Sequence, residues 1–366
     1  MASVSPFATD RKGRPAGVAE IVTAAGTRIY LLPVETFGGH RNNLYLIDHP
    51  EHPLLFDTAT GTPEAQAELA LRFTEIRERF GVTTGPEGLA EVVISHAHID
   101  HFGGAHTFRR LGIPITVHEL DARVLEAFSE RFLLAGRDFH LYLLQTGLAA
   151  EVRDEVMGLY RAAKDLFTDL EPDRRLRSQD RVGPGWRVLH VPGHCPGMIC
   201  LAVDDVLLTA DHLLSRITPV QRPQSITPFT GLENYFRSLE KMLDFGDFAL
   251  GLGGHEAPIP DLRLRVAETL NHHERRLRWV HRLCGEKART IAELSRLLFG
   301  TQEGYGVLLA LSEAGAHVEF LHELGYLVIE NLDEVVRDVA APTLYRARDR
   351  EPHPAFARTR LPGISP

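Results

Sequence analysis

Cysteine is scarce in this chain: Cys195, Cys200 and Cys284 are the only three in 366 residues. An odd number with no close-spaced pair argues against a disulfide framework and against a cysteine zinc knuckle. A reducing cytoplasm is the expected compartment. Long apolar runs are missing too, and none reaches the roughly 20 residues that cross a bilayer. Residues 1–26 contain Pro6, Asp10, Arg11, Lys12 and Arg14 but no apolar core of the signal-peptide type. No membrane partner is therefore expected. Nor is there a basic excess, with 40 Lys and Arg against 49 Asp and Glu for a net charge of -9. A dedicated nucleic-acid binder needs the opposite balance. Internal repeats and low-complexity segments are absent.

What is present is ordinary globular material, 44 % hydrophobic and 24 % charged, in a length that suits one large domain and a smaller one. Strands are expected at 28–34, 43–47 and 54–56, followed by a helix at 63–80 with apolar residues at helical spacing. A short buried strand at 91–95 runs straight into His96. Strand and helix signals alternate again at 113–118 and 121–128, and residues 120–167 read as two or three helices. An insertion of that length is expected to act as a lid over a substrate pocket. Further strands are expected at 186–191, 198–203 and 206–210, with a strand end at 250–254. Strands followed by alternating helices imply a sheet sandwich covered by helices.

From about residue 263 the pattern changes. Three helices are expected at 264–284, 290–299 and 305–324, with Thr290 and Glu293 spaced as a capping box and Gly325 closing the third. Two short strands at 326–329 and 343–345 complete a winged-helix-like pattern. The expected division is a catalytic domain over 1–262 with a helical insertion at about 120–170, a winged-helix-like domain over 263–348 and a poorly ordered tail over 349–366.

The chemistry concentrates in His96-Ala97-His98-Ile99-Asp100-His101, where four potential metal ligands fall within six residues. In extended backbone His96 and His98 point to the same side, so both rings can reach one ion. Asp100 and His101 follow where the chain turns toward a helix and can face a second ion. His194, Asp211 and His255 each stand at a strand end beside residues that favour a turn. Alone, any of the three would be read as a surface or core residue.

In that order, His96 to His101 with His194, Asp211 and His255 resembles the signature of the metallo-β-lactamase superfamily. The resemblance spans roughly residues 28–260, and Gly103-Gly104, Gly193 to Gly197 and Ala210-Asp211-His212 also resemble family motifs. Cys195 stands where Ser or Thr is frequent, and Ala210 where Gly is frequent. The C-terminal segment resembles the winged-helix extension of a branch that includes lactamase-β-2-like proteins and hydrolases described as glyoxalase-II-like or thioesterase-like. The resemblance implies an α+β fold, an αββα sandwich with the winged-helix-like domain following. It implies His96, His98 and His194 on one ion, Asp100, His101 and His255 on another, and Asp211 bridging the two. The expected cofactor is two divalent ions per chain, zinc first, with iron and manganese as alternatives. Asp100 and Asp211 are the expected catalytic residues. Asp57 is similar to the family's aspartate that orients a ligand histidine, and His212 is expected beside the site without ligating. His40, His106, His118, His140 and His190 lack ligand spacing and are expected to be structural or surface residues. Cys195 is expected to be a buried structural thiol.

The function expected from this resemblance is metal-dependent hydrolysis of a carbonyl substrate by a metal-bridging hydroxide. A thioester of the acyl-CoA or glutathione type is placed first. Lactones and RNA are the alternatives, and a mononuclear iron dioxygenase acting on a persulfide is the alternative of another class. A DNA-binding regulator with a metal-sensing domain competes with these readings. Its third helix, 305–324, has Glu313, Glu319 and Glu323 but no Lys or Arg, so no DNA partner is expected. The arginines 275, 276, 278 and 282 lie on the first helix, interleaved with apolar residues. The expected partner is a small-molecule substrate, with self-association into a homo-oligomer left open.

Overall fold

The computed structural model describes residues 2–349, so the expected tail lies outside the described residues apart from Asp349. Among the described residues, eight strands form the first sheet in sequential order: β1 (Ser3–Val4), β2 (Ala19–Val22), β3 (Arg28–Phe37), β4 (His40–Asp48), β5 (Leu54–Phe56), β6 (Glu91–Ile94), β7 (Ile115–His118) and β8 (Arg174–Leu176). Pairing is antiparallel from β1 to β5 and parallel from β5 to β8. The change of sense follows from the connections. A tight turn joins β3 to β4, whereas β5 and β6 are joined through helix α1 (Pro63–Phe80). Strands β5, β6 and β7 are buried at every position, as expected of parallel strands covered on both faces. Thr62 caps α1 through its side chain, and Gly81 closes it in the left-handed region.

The second sheet has the order β13 (Leu250–Gly253), β12 (Val206–Ala210), β11 (Ile199–Val203), β10 (Trp186–His190) and β9 (Arg181–Val182). Hydrogen bonds stitch the two sheets together where their strands end. Ile199 N–H donates to the Ser95 carbonyl at 2.9 Å, Tyr45 Oη to the Gly253 carbonyl at 2.7 Å, and Asn43 Nδ2 to the Glu256 carbonyl at 2.7 Å. Helix α1 packs on β3, while α3 (Ala105–Arg110) and α4 (Glu119–Glu126) pack on β7. A single turn, α2 (Ile99–Phe102), lies between β6 and α3. On the other sheet, the end of α7 (Leu232–Phe245) lies against β10. There Lys241 Nζ donates to the His190 carbonyl at 2.7 Å, and the Arg187 guanidinium stands 4.3 Å from the Phe245 ring centre. This is the αββα layering expected from the sequence.

The chain divides into two compact units, and the division differs from the expected boundary at residue 262. The sandwich unit comprises residues 2–128, 166–219 and 241–265. The helical segment 129–165 belongs with residues 220–240 and 266–349. Helices α5 (Phe128–Gln145) and α6 (Ala150–Ala162) bury Phe139, Tyr142, Leu143, Val156 and Met157. Tyr142 Oη donates to the Leu311 carbonyl at 2.8 Å, and Ala292 N–H to that of Thr146 at 2.9 Å, tying the insertion to the C-terminal helices of its own unit. Those helices are α8 (Leu262–Glu286), α9 (Ile291–Phe299) and α10 (Tyr305–Glu323). They are followed by β14 (Leu327–Ile329), a short α11 (Leu332–Arg337) and β15 (Tyr345–Ala347), which pairs antiparallel with β14. The Thr290–Glu293 capping box is present in both directions. Helix α7 has no counterpart among the expected elements, although its buried residues Leu232, Tyr235, Phe236, Leu239, Met242 and Leu243 keep helical spacing.

Ala210 ends β12 with φ at 45°, at a register shift in the β12–β13 pairing. An L-residue there is held in the left-handed region at a cost of roughly 1–2 kcal/mol. Glycine would relieve that strain but lose more chain entropy on folding, roughly 0.4–1 kcal/mol. Ala210→Gly is therefore expected to be neutral or to stabilise by up to about 1 kcal/mol. Urea unfolding checks this, and a measurable loss of stability would contradict it.

Candidate metal centre

Four strand ends deliver the site. Strand β6 leads to Ser95, His96 and His98, and α2 adds Asp100 and His101. The loop after β10 brings His194, the end of β12 brings Asp211, and the loop after β13 brings His255. All seven expected ligand residues meet. His96 Nε2 lies 3.0 Å from His98 Nδ1, and His194 Nε2 lies 2.9 Å from the same atom. Asp211 Oδ2 is 3.2 Å from His255 Nε2, 3.6 Å from His101 Nε2 and 3.8 Å from His194 Nε2, so it stands between the groups. Asp100 Oδ2 is 3.6 Å from His101 Nε2 and 3.8 Å from His255 Nε2.

The surrounding hydrogen bonds decide which nitrogen of each ring faces inward. Asp57 Oδ1 accepts from Ser95 N–H at 2.7 Å, and its Oδ2 accepts from Ser95 Oγ at 2.8 Å and from His101 Nδ1 at 2.8 Å. With its proton committed to Asp57, Ser95 Oγ accepts from His96 Nδ1 at 2.9 Å. His255 Nδ1 donates to the Arg41 carbonyl at 2.8 Å. In His96, His101 and His255 the Nε2 lone pair is therefore turned toward the centre, the tautomer that metal ligation requires. Asp57 thus holds the His101 ring and, through Ser95, reaches that of His96. Asp57 itself sits at φ 68°, a left-handed position that Asp tolerates better than most residues. His212 is fully buried next to Asp211.

The donor set fits a cation. Three ring nitrogens converging at about 3 Å cannot all be satisfied by one another, since each pair can share only one proton. Asp211 Oδ1 is buried and has no hydrogen-bond partner, an arrangement a carboxylate rarely keeps without an ion. Gly254 leaves room for both groups: a Cβ there would collide with Asp211 Oδ1 and stand 2.8 Å from His101 Cε1. Burial opposes the charges of Asp100 and Asp211, yet the imidazoles of His101 and His255 outweigh it and hold both carboxyls well below the usual range. Burial likewise lowers His101 and His255, but the carboxylates of Asp211 and Asp100 raise both above the ordinary histidine value. For His96, burial and the neighbouring imidazoles act together and push it well down. Without an ion, protons must neutralise this pocket; a divalent cation would take their place.

Two groups near the site had no signal in the ligand spacing. His40, expected to be a structural or surface residue, places Nε2 3.2 Å from Asp100 Oδ2. Asn42 donates Nδ2 to the Asp100 carbonyl at 3.0 Å and to its Oδ2 at 3.2 Å, while its own oxygen accepts from Thr36 Oγ1 at 2.9 Å, which sets the amide's orientation. Asp121 is the third addition, in the first turn of α4 and fully buried. Its Oδ2 accepts from Ala97 N–H at 2.7 Å and from Cys195 Sγ at 3.4 Å, and its Oδ1 from Gly197 N–H at 2.7 Å. One carboxylate therefore ties the His96–His98 loop to the His194 loop. Burial pushes this carboxyl up to about 6 against the lowering effect of those donors. Cys195 is buried, as expected of a structural thiol.

A second cluster, His273, Glu313 and His317, lies inside the helical unit and is also buried. Arg276 Nη1 donates to Glu313 Oε1 at 2.6 Å and Gln221 N–H to Oε2 at 2.7 Å, so that carboxylate is already neutralised and hydrogen-bonded.

Asp121→Ala would leave the buried amide of Gly197 without an acceptor, at roughly 1–3 kcal/mol, and the part-buried amide of Ala97 without one at a smaller cost. We expect a destabilised but folded protein that holds metal roughly ten- to hundredfold less tightly, with Asp121→Asn recovering part of the loss. Chelator competition measures this. Unchanged metal retention in Asp121→Ala would show that the two loops do not depend on the carboxylate.

Comparison with known proteins agrees with the geometry. Acyl-coenzyme A thioesterase MBLAC2 of Bos taurus is 25 % identical over 217 residues, which is 58 % of this chain and 71 % of that protein. The Homo sapiens protein of the same name is 24 % identical over the same shares. Among solved structures, a metallo-beta-lactamase family protein from Thermus thermophilus superposes with a TM-score of 0.70 at 27 % identity, covering 87 % of this chain and 98 % of that one. A beta-lactamase domain protein from Burkholderia ambifaria gives 0.71 at 24 % identity, covering 87 % and 92 %, and shares the fold. The family model described as metallo-beta-lactamase superfamily matches residues 37–255, more than half of the chain and all seven clustered residues. The chain belongs to the metallo-beta-lactamase superfamily.

Proposed function

We propose that this protein is a two-metal hydrolase acting on a thioester, with an acyl-CoA as the first substrate to test. The observation that supports this most directly is the pairing of a clustered His-Asp site with relatives named acyl-coenzyme A thioesterases at about one-quarter identity. His96, His98 and His194 would hold one ion, Asp100, His101 and His255 the other, and Asp211 would bridge them. When bound, such a pair lowers the pKa of a shared water into the neutral range and polarises a substrate carbonyl. Zinc suits this imidazole and carboxylate set, with iron and manganese as alternatives.

The protein's own part is orientation and proton handling. Asp57 and Ser95 hold the His96 and His101 rings so that they cannot rotate their lone pairs away. Asn42 fixes Asp100 from one side, leaving its carboxylate to accept a hydrogen bond from the nucleophile or to pass a proton to the leaving thiolate. The helical unit is read as winged-helix-like without a DNA-reading role. In α10, Glu313 is engaged by Arg276 and Gln221, and Glu319 accepts from Gln224 N–H at 2.6 Å and Ser225 N–H at 2.9 Å. These carboxylates serve the unit's own packing.

The test is a panel of acyl-CoA and glutathione thioesters, lactones and RNA on metal-quantified protein. Thiol release with two ions per chain is expected. Lactone opening or RNA cleavage without thiol release would reassign the substrate. One iron per chain with oxygen consumption would replace hydrolysis by persulfide dioxygenation. Asp211→Ala is expected to abolish turnover in a folded protein, and wild-type rates in that variant would contradict the bridging role. Cys195→Ser is expected to keep most activity; complete loss with metal content intact would point to covalent catalysis.

A further inference from the structure

His40 opens β4 at the tip of the β3–β4 hairpin, just after Gly38 and Gly39. Gly39 takes φ 75°, the left-handed conformation that lets so short a connection reverse direction. The tip is tied down from both sides. Gly39 N–H donates to Glu35 Oε1 at 3.0 Å, and Arg14 Nη1 donates to the Gly39 carbonyl at 2.9 Å while Arg14 is itself held by Asp10 at 2.7 Å. Thr36 Oγ1, whose proton goes to Asn42, lies 3.3 Å from the His40 carbonyl. The ring is thus presented by an anchored turn.

It is presented to the metal centre. His40 Nε2 stands 3.2 Å from Asp100 Oδ2, the same oxygen that faces His101 Nε2 and His255 Nε2. The His40 and His255 ring centres are 4.6 Å apart. One ligand atom from each of His40, Asp100 and His255 lies within 4.8 Å of the other two. This is the convergence seen for His96, His98 and His194, built from a residue with no ligand spacing.

We propose that His40 is a further metal ligand, belonging to the second half-site; the inference rests on the two-ion reading above. With His40 included, five side chains, Asp100, His101, Asp211, His255 and His40, are available to that ion. A set of that size, with two carboxylates, moves the preference away from four-coordinate zinc toward ions such as Mn2+ or Fe2+ that accept six ligands. The His40 side chain is half exposed, so replacing it removes an imidazole without opening the core.

The experiment loads apoprotein with Co2+ and follows binding by competition with a chelator and by the visible absorption spectrum. Wild type is compared with His40→Ala and with His40→Gln, which retains a donor for Asp100 but no imidazole. Thermal unfolding of the three apoproteins confirms equal folding. The expected result is a first ion bound as in wild type. The second should weaken in both variants by roughly a hundredfold or more, beyond the ten- to hundredfold range of a supporting hydrogen bond, with a changed absorption band. Wild-type affinity and spectrum in both variants, or in His40→Gln alone, would overturn ligation by His40 while leaving two ions in place. Wild-type protein that takes one ion even at excess metal would overturn the two-ion reading and this inference with it.

Discussion

The buried carboxylate of Asp57 is the contact on which the rest of the centre depends. It lies where β5 ends, beneath the loop that carries His96 and His98, and accepts from a backbone amide, a hydroxyl and an imidazole at once. Because Ser95 spends its proton there, it can only accept from His96, and because His101 spends its Nδ1 proton there, only its Nε2 faces inward. One carboxylate thus determines the tautomer and direction of two rings. An unpartnered carboxylate at this depth would be costly, so the arrangement is held as firmly as the core around it.

The remaining ligand-type residues are positioned by similar links between separate strand ends. Asp121 joins the His96–His98 loop to the His194 loop, and the Arg41 carbonyl orients His255. Asn42 holds Asp100, while its neighbour Asn43 anchors the loop after β13. Strand β4 therefore serves both the site and the junction between the sheets. Each loop is short and tied at its base, which keeps a concentration of carboxylates and imidazoles together that would otherwise relax apart. Their mutual effects on protonation express the same tension: against the effect of burial, the imidazoles pull the carboxyls of Asp100 and Asp211 down, and the carboxylates push His101 and His255 up.

The helical unit shows how polar residues become structural. Helix α10 buries much of its length, and Glu313 within it is buried and paired, while the half-buried Glu319 caps neighbouring amides. Glu313 meets Arg276, and Glu319 meets the amides of Gln224 and Ser225. The arginine-rich stretch of α8 behaves accordingly: Leu277 and Val280 are buried and Arg276 turns to Glu313, whereas Trp279 remains 39 % exposed.

Much of this protein is legible in its sequence. Strand β12 and helix α1 fall where alternation and helical spacing put them, and one dense motif with three strand-end residues picks out all seven clustered residues. Those signals are local: a side chain's period reports its own element, and a ligand pair two residues apart reports its own loop. What lay beyond local reach was decided by tertiary structure. Segment 129–165 reads as an insertion in the sandwich, yet its apolar faces are buried with helices more than a hundred residues later. His40, Asn42 and Asp121 carry no spacing that marks them. Hairpin and sheet geometry bring the first two to Asp100, 60 and 58 residues away, and the third to Ala97 and Gly197. Sequence alone determined which residues have the chemistry to hold an ion. Only the packing of strand ends against one another determined which other groups stand close enough to orient them, because that proximity comes from the sheets and not from the order of the chain.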